Sequence, residues 1–225
     1  MNRQVAGVIG GLLGLAALAA WAIAGPDGKP APRAPADLPK LALLTSLPLV
    51  FGESFGLEGG GSPVLSRLEE QYNVVPIGVA DGSSLKGHRL LLMAHPRAQP
   101  AEVLVELDQW VRNGGHVLLL ADPKLDWPSE RPIGDKLRPP PAFADTGLLK
   151  HWGLTLEAPP MAGEISVGRL SGKACRIDDS GLVARCTIGR GKATVVADAD
   201  FLRVDEAGAD GLDLLIEQLG GLESR

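Results

Sequence analysis

Apolar positions divide the chain into an uncharged N-terminal run, a proline-rich stretch, and a longer region where apolar runs alternate with helical periodicity. The first run covers residues 5–24. A helix rises about 1.5 Å per residue, so a run of this length spans roughly 30 Å, the thickness of a bilayer core. Trp21 lies near its end, where an indole suits the membrane interface. We therefore predict a transmembrane helix at residues 5–24 that contacts the lipid bilayer.

A cleaved signal peptide is the alternative for this segment. Ala22, Ile23 and Ala24 form an A-x-A cleavage pattern. The apolar part of a signal peptide, however, covers only about 7–15 residues, so we interpret residues 1–24 as an uncleaved single-pass anchor. Residues 25–39 contain five prolines and are predicted to form a semi-extended stalk. Residues 40–225 then form a single domain.

Within this domain, residues 100–113 give the clearest pattern. Their apolar side chains recur at the i, i+3, i+4, i+7, i+8 positions of a helix, and Gly114 and Gly115 end it. Apolar strands at 90–94 and 116–121 flank this helix, which makes a βαβ unit and predicts an α/β domain with a mostly parallel sheet. The same patterns predict further strands at 41–45, 74–77 and 192–197, and further helices at 63–72, 145–152 and 210–219.

A β-hairpin is predicted near the C-terminus, where strands at 173–177 and 182–188 flank a turn signal at residues 178–181. A two-residue turn would place Cys175 directly opposite Cys186, with Cβ atoms about 4.5–5.5 Å apart, near the range of a disulfide. In that register the two cysteines form a hydrogen-bonded pair, which suits a bridge less well. A disulfide and a pair of small apolar residues therefore both stand as interpretations.

Two features of the sequence predict opposite sides of the membrane for this domain. Lys29, Arg33 and Lys40 follow the anchor and only Arg3 precedes it, which favours a cytoplasmic domain under the positive-inside rule. A disulfide would instead require an oxidising compartment and favour the periplasmic side.

Composition excludes several functions. The net charge is −5, the chain has no basic run, and aromatic residues make up 4% of it, so we predict no nucleic-acid partner. Two cysteines are too few for a structural zinc site, and we predict no cofactor.

Three segments together resemble a known family: residues 90–96 (LLLMAHP), 107–123 (LDQWVRNGGHVLLLADP) and 189–202 (GRGKATVVADADFL). They are similar to the glutamine-amidotransferase-like domains of GldG-type ABC-transporter auxiliary proteins and related membrane-anchored proteins. The resemblance covers roughly residues 40–220. It implies a flavodoxin-like three-layer sandwich, here with a C-terminal β-hairpin insertion. It also implies a periplasmic domain at the cytoplasmic (inner) membrane, with ABC-transporter subunits as partners.

Amidotransferase chemistry is predicted to be absent. Such an enzyme needs a cysteine at a sharp strand-to-helix elbow, activated by a histidine. Here the strand at 90–94 is followed by His95 and Pro96, and neither Cys nor Ser occupies the turn. The main hypothesis is therefore a non-enzymatic, membrane-anchored domain that serves a transport or envelope system.

The alternative is a metal-dependent hydrolase or ligand sensor. Asp122, Asp198 and Asp200 follow predicted parallel strands, whose carboxyl ends form the ligand-binding edge of open α/β sheets. Three carboxylates suit a hard cation such as Mg²⁺, although the same residues also cap turns and helices. The predicted ligand-binding set at this edge is completed by residues near the first and third strands: Gly52, Glu53 and His95.

Overall fold

The structure, a computed structural model, describes residues 32–51, 62–160, 167–204 and 210–223. The chain divides into two units, Met1–Asp37 and Leu38–Arg225. In the first unit, the described residues form a 3₁₀ turn at Pro35–Asp37. The transmembrane helix predicted at residues 5–24 lies outside the described residues. Among those that are described, no helix has the length and apolar character needed to cross a membrane.

The second unit alternates strands and helices. Its strands are β1 (Lys40–Thr45), β2 (Asn73–Pro76), β3 (Leu90–Ala94), β4 (His116–Leu120), β5 (Leu154–Glu157), β6 (Arg169–Gly172), β7 (Arg176–Ile177), β8 (Val183–Ile188) and β9 (Gly191–Val196). Its helices are α1 (Pro63–Glu69), α2 (Ala101–Arg112), α3 (Leu148–His151) and α4 (Asp210–Glu223). A 3₁₀ turn, Asp200–Leu202, follows β9.

Seven strands form one sheet in the order β2-β1-β3-β4-β9-β8-β7. The first five are parallel, and the β7–β8 hairpin is added antiparallel to β9. Counted along the chain, the parallel strands have the order 2-1-3-4-5, which is the flavodoxin-like arrangement. The predicted α/β class with a mostly parallel sheet is confirmed. The strand β2, which contains Pro76, lies at the edge of the sheet, where a proline is tolerated.

Helices cover both faces of this sheet. One face of β3 and β4 packs against α2 and α3, and the other face packs against α1 and α4. All residues of β3 and β4 are buried, as expected for parallel strands covered on both sides. The sheet is therefore the middle layer of three, and only its strand ends are open for a site.

Two glycine turns pack against each other at the amino ends of β4 and β9. The amide of Arg190 donates to the carbonyl of Arg112, the last residue of α2, at 3.0 Å. The amide of Lys192 donates to the carbonyl of Gly115 at 3.3 Å. The Gly-Gly turn and the later Gly-Arg-Gly-Lys turn are thus two sides of one close backbone contact.

The region between β4 and β9 differs in detail from the prediction. The strand expected at 173–177 is reduced to β7, and a separate two-stranded sheet forms from β5 and β6. At the C-terminus, α4 continues past the predicted end at residue 219 to Glu223. These elements are short or half-exposed, so their apolar periodicity is too weak to fix their bounds.

The hairpin has the predicted register. Arg176 pairs with Arg185, and the same register places Cys175 opposite Cys186. The expected hydrogen-bonded pair is wrong, however. The amide of Asp178 donates to the carbonyl of Val183, so the hydrogen-bonded pairs alternate from this position. The cysteines consequently fall at a non-hydrogen-bonded pair with Cα atoms 4.4 Å apart, and their sulfur atoms are bonded as a disulfide.

Reduction of this disulfide is expected to lower the free energy of unfolding by about 3 kcal/mol. The bridge closes a short loop, because its cysteines are 11 positions apart, and chain entropy assigns about 3 kcal/mol to a 15-residue loop. The melting temperature should be measured with and without reductant. The double variant Cys175→Ala/Cys186→Ala should melt at the temperature of the reduced protein and show no response to reductant. A reductant effect of equal size in that variant would contradict the assignment.

Candidate functional site at the carboxyl edge of the sheet

Three aspartates meet at the carboxyl ends of the central parallel strands. Asp122 follows β4, while Asp198 and Asp200 follow its parallel neighbour β9. Oxygen atoms of the three carboxylates lie within 4.8 Å of one another. Asp122 is 2% exposed, and the other two are half-buried. The structure thus brings together three of the sequence candidates, because parallel strands end at one edge.

Backbone amides already engage these carboxylates. Oδ1 of Asp122 accepts from the amide of Lys124 at 2.8 Å, and its Oδ2 accepts from the buried amide of Ala199 at 3.0 Å. Asp200 accepts from the amide of Asp126 at 2.9 Å. The cluster therefore joins the chain after β4 to the chain after β9, which is the turn-capping role expected of aspartates.

Burial raises the pKa of Asp122 to about 6, with backbone amide hydrogen bonds opposing the rise and the charges of Asp200 and Asp198 adding to it. The pKa of Asp200 is also raised, first by burial and then by the neighbouring carboxylates. The cluster therefore holds a proton more readily than free carboxyl groups do. Chemically, it can take up a proton or a cation.

His95 occupies the turn after β3, the turn at which an active amidotransferase is expected to carry its nucleophile. Its backbone has φ 45°, and it is the one non-glycine residue with positive φ in the described part of the chain. The strained turn of an elbow is therefore present. A nucleophile elbow exposes its side chain, however, whereas His95 is 0% exposed.

One hydrogen bond holds the imidazole of His95 in this buried position. Its Nε2 lies 2.9 Å from the carbonyl oxygen of Pro140 and, since a carbonyl only accepts, Nε2 carries the hydrogen. Nδ1 is buried without a hydrogen-bond partner. Burial lowers the pKa of His95, which keeps the ring neutral at physiological pH. His95 therefore closes the turn beneath the loop that contains Pro140, and it does not join the aspartate cluster.

A cavity of about 420 Å³ opens at the same edge, beyond the end of β1. Thr45 and Ser46 lie in its wall, and their hydroxyl groups donate to the carbonyls of Ala94 and His95 at 2.9 and 2.5 Å. These bonds tie the end of β1 to the end of β3. The cavity consequently lies where the strand order reverses, which is the usual ligand position in open α/β sheets.

None of the cavity residues was a sequence candidate. The sequence spacing predicts that strands are parallel, but it does not give their order, so the reversal point becomes visible only in the folded sheet. Of the remaining candidates, Gly52 and Glu53 lie outside the described residues. The signal available in the sequence was the charge-rich stretch 124–144, which contributes Arg131 and Lys136 to the cavity wall.

A protein-family model described as "ABC-type uncharacterized transport system" matches residues 38–158, just over half of the chain. The matched region runs from the start of β1 to the end of β5 and includes His95 and Asp122, but not Asp198 or Asp200. A comparison with curated proteins gave no significant match.

Solved structures give distant matches. The mmIFT52 N-terminal domain has a TM-score of 0.48 at 14% identity and covers 80% of this chain and 97% of its own. Cytoplasmic protein STM3548 from Salmonella typhimurium has a TM-score of 0.45 at 12% identity, covering 81% and 98%. Exo-beta-1,4-mannosidase Op5Man5 from Opitutaceae bacterium strain TAV5 has a TM-score of 0.46 at 16% identity, covering 81% of this chain and 36% of the mannosidase. The chain thus spans about a third of that enzyme, and likenesses this distant carry no functional inference.

Proposed function

This chain belongs to the family of ABC-type transport-system auxiliary proteins, and from that premise we propose a non-enzymatic component held at the membrane by residues 5–24. In this proposal, the α/β domain lies outside the cytoplasm and binds subunits of the transporter. The observation that carries the non-enzymatic part is the buried, neutral His95 at the turn where a related enzyme would carry its nucleophile.

The extracytoplasmic position is supported by the bond between Cys175 and Cys186. Disulfides persist in oxidising compartments and are rare in the cytosol of mesophiles. Lys29, Arg33 and Lys40 favour the opposite side, but their excess over Arg3 is small, whereas a disulfide depends directly on an oxidising compartment. We therefore give the disulfide more weight, and we propose a single-pass protein of the cytoplasmic membrane with a periplasmic domain.

A hydrolase or ligand sensor that uses a divalent cation remains a second candidate. The convergence of Asp122, Asp198 and Asp200 favours it, since carboxylate oxygens are preferred ligands of Mg²⁺. The amide hydrogen bonds to Asp122 and Asp200 weigh against it, because they account for the convergence without a metal. We therefore rank this candidate below the auxiliary role.

Co-purification tests the auxiliary role directly. The chain should be tagged at its C-terminus, extracted from its native membranes in a neutral detergent, and analysed by mass spectrometry. We expect stoichiometric recovery of ABC-transporter membrane or ATPase subunits. A tagged segment of residues 1–39 serves as the control, and it should recover none of them if the domain makes the contact. Recovery of the full chain alone would contradict the proposal and favour the hydrolase or sensor.

A further inference from the structure

The cavity beyond β1 combines an apolar lining with positive charge, and this combination is not used by the proposed auxiliary role. We propose that it binds a small organic anion with an apolar body, such as an aromatic or alkyl carboxylate. Its volume of about 420 Å³ lies within the range of small-molecule sites, which is roughly 300–1,000 Å³. The inference is independent of which transporter subunits the domain contacts.

The positive charge comes from Arg97, Arg131 and Lys136. Arg131 has an acidic partner, since its guanidinium lies 3.7 Å from the carboxylate of Asp135. Neither Arg97 nor Lys136 forms an ion pair with any described carboxylate, and the other lining residues that the structure gives are uncharged. The cavity therefore carries excess positive charge, although the whole chain has a net charge of −5. Such a cleft concentrates anions.

Arg97 is oriented by the chain. Its Nη2 donates to the carbonyl of Arg138 at 2.5 Å, which joins the segment after β3 to the loop 124–144. This bond uses one of the five N–H donors of the guanidinium. The remaining donors have the fork geometry that binds a carboxylate in a bidentate manner. Arg97 is consequently positioned before a ligand arrives.

The apolar part of the cavity explains why a bare inorganic anion is not the expected ligand. Its floor includes Leu43 and Leu47, which are 1% and 4% exposed, and its rim includes Phe51 and Leu137, which are 81% and 59% exposed. When a ligand covers large apolar side chains that are this exposed beside a pocket, the burial of their surface favours binding. An anion with an apolar body satisfies both parts of the cavity.

Two matched probes separate charge recognition from apolar binding. 1-Naphthoate and 1-naphthamide share the same ring system and nearly the same shape, but only naphthoate is charged. The full chain in neutral maltoside detergent should be titrated with each probe by calorimetry, with empty micelles as the blank. We expect saturable binding of naphthoate at one site per chain, and binding of naphthamide weaker by roughly tenfold. Binding of naphthoate should also weaken as salt is added, because screening reduces the attraction.

Charge variants locate the site. Lys136→Gln should weaken naphthoate binding by roughly fivefold, and Arg97→Gln/Lys136→Gln by at least about tenfold, with naphthamide unaffected. The control is Lys86→Gln/Lys173→Gln, which removes the same charge from two exposed lysines outside the cavity and should leave naphthoate binding unchanged. Arg97→Lys tests whether the hydrogen bond to Arg138 matters beyond the charge.

Other outcomes would overturn the inference. Equal binding of both probes would show that the cavity does not recognise charge. Equal losses in the cavity and control variants would show that only the net charge of the chain matters. Competition of inorganic phosphate with naphthoate at equal concentration would show that the apolar lining contributes nothing. A further arm compares the full chain reconstituted in phosphatidylcholine vesicles with the chain in vesicles that also contain phosphatidylglycerol. Loss of naphthoate binding in the second identifies a lipid headgroup as the source of the anion, and equal binding in both identifies a free carboxylate.

Discussion

Replacement of Gly191 by alanine is expected to destabilise the domain by more than about 4 kcal/mol. A Cβ atom at this position would lie 2.1 Å from the carbonyl oxygen of Val111 and 2.2 Å from that of Gly115. Both contacts are with backbone atoms, which no side-chain rotation relieves. The end of α2 and the start of β9 would have to separate, and the hydrogen bonds of Arg190 and Lys192 at this contact would be lost with them.

The melting temperature of the full chain in neutral detergent measures this effect. A domain of this size loses about 2–4 °C per kcal/mol, so Gly191→Ala should melt more than about 8 °C below the wild type. Gly220→Ala is the matched control. Gly220 lies inside α4 with open space around its Cα, so alanine should stabilise the helix by about 0.5–1 kcal/mol. Equal melting temperatures for wild type and Gly191→Ala would show that the two turns do not pack as described.

This close contact gives a physical reason for two of the motifs that carry the family resemblance. Gly115 leaves room for the ring of Trp110, since a Cβ there would lie 2.4 Å from the indole. Gly191 leaves room for the two carbonyls on the other side of the contact. The motifs are therefore requirements of backbone packing between a helix end and two strands. Their glycines identify the fold, while Asp122, Asp198 and Asp200 in the same two segments form the acidic candidate site.

The central part of the fold could be predicted from the sequence because its signals are local and strong. The helical periodicity of α2 places Val103, Leu107 and Val111 on one face, and these three residues are buried in the structure. The strand β3 is an uninterrupted apolar run, β4 is apolar after its first residue, and the polar residues His95 and Asp122 follow them. Each of these signals is contained within a dozen residues, so no long-range information was needed.

The hairpin shows a structural detail that local sequence signals do not predict. The pairing of Arg176 with Arg185 followed from the position of the turn, but the hydrogen-bonding phase did not. That phase depends on the side chain of Asp178, whose Oδ1 accepts from the amides of Leu182 and Val183 and widens the turn. A two-residue turn and a wider turn with the same centre give the same pairs, and only the wider one makes the cysteines a non-hydrogen-bonded pair.

The candidate site also has residues that the sequence could place together and residues that it could not. The aspartates after β4 and β9 could be placed at one edge, because every parallel strand presents its carboxyl end there. The cations of the cavity could not be placed together, because Arg97 follows β3 while Arg131 and Lys136 belong to an irregular loop more than 30 positions later. Loop conformation depends on contacts such as the bond between Arg97 and the carbonyl of Arg138, which leave no periodic signal in the sequence.

The ionisation of Asp122 is expected to make the domain less stable as the pH rises. Its pKa is about 6 in the folded chain and near the ordinary 3.8 in the unfolded chain. Between these values the folded state binds more protons, so the free energy of unfolding falls with increasing pH. The full difference is about 3 kcal/mol, present below about pH 3.8 and lost as the pH rises through about 6.

Asp122→Asn removes this dependence, because the amide does not ionise. Its oxygen still accepts from the amide of Lys124, while its NH₂ group faces the amide of Ala199, so a constant cost is expected at every pH. The informative quantity is therefore the difference in free energy of unfolding between wild type and variant, measured by urea denaturation. Relative to Asp122→Asn, the free energy of unfolding of the wild type should fall by about 2 kcal/mol between about pH 4.5 and about pH 7.5. A difference that stays constant would show that Asp122 is not buried as described.

The same titration in the presence of Mg²⁺ decides between the two roles of the acidic edge. A bound cation would hold Asp122, Asp198 and Asp200 ionised and would stabilise the wild type above about pH 6, with a smaller effect on Asp122→Asn. If the carboxylates serve as caps, Mg²⁺ leaves the pH dependence of both proteins unchanged. We expect the second result, because both oxygens of Asp122 already accept backbone amides and the charge repulsion within the cluster is relieved by a proton. Stabilisation by Mg²⁺ that is confined to the wild type would instead support the hydrolase or sensor.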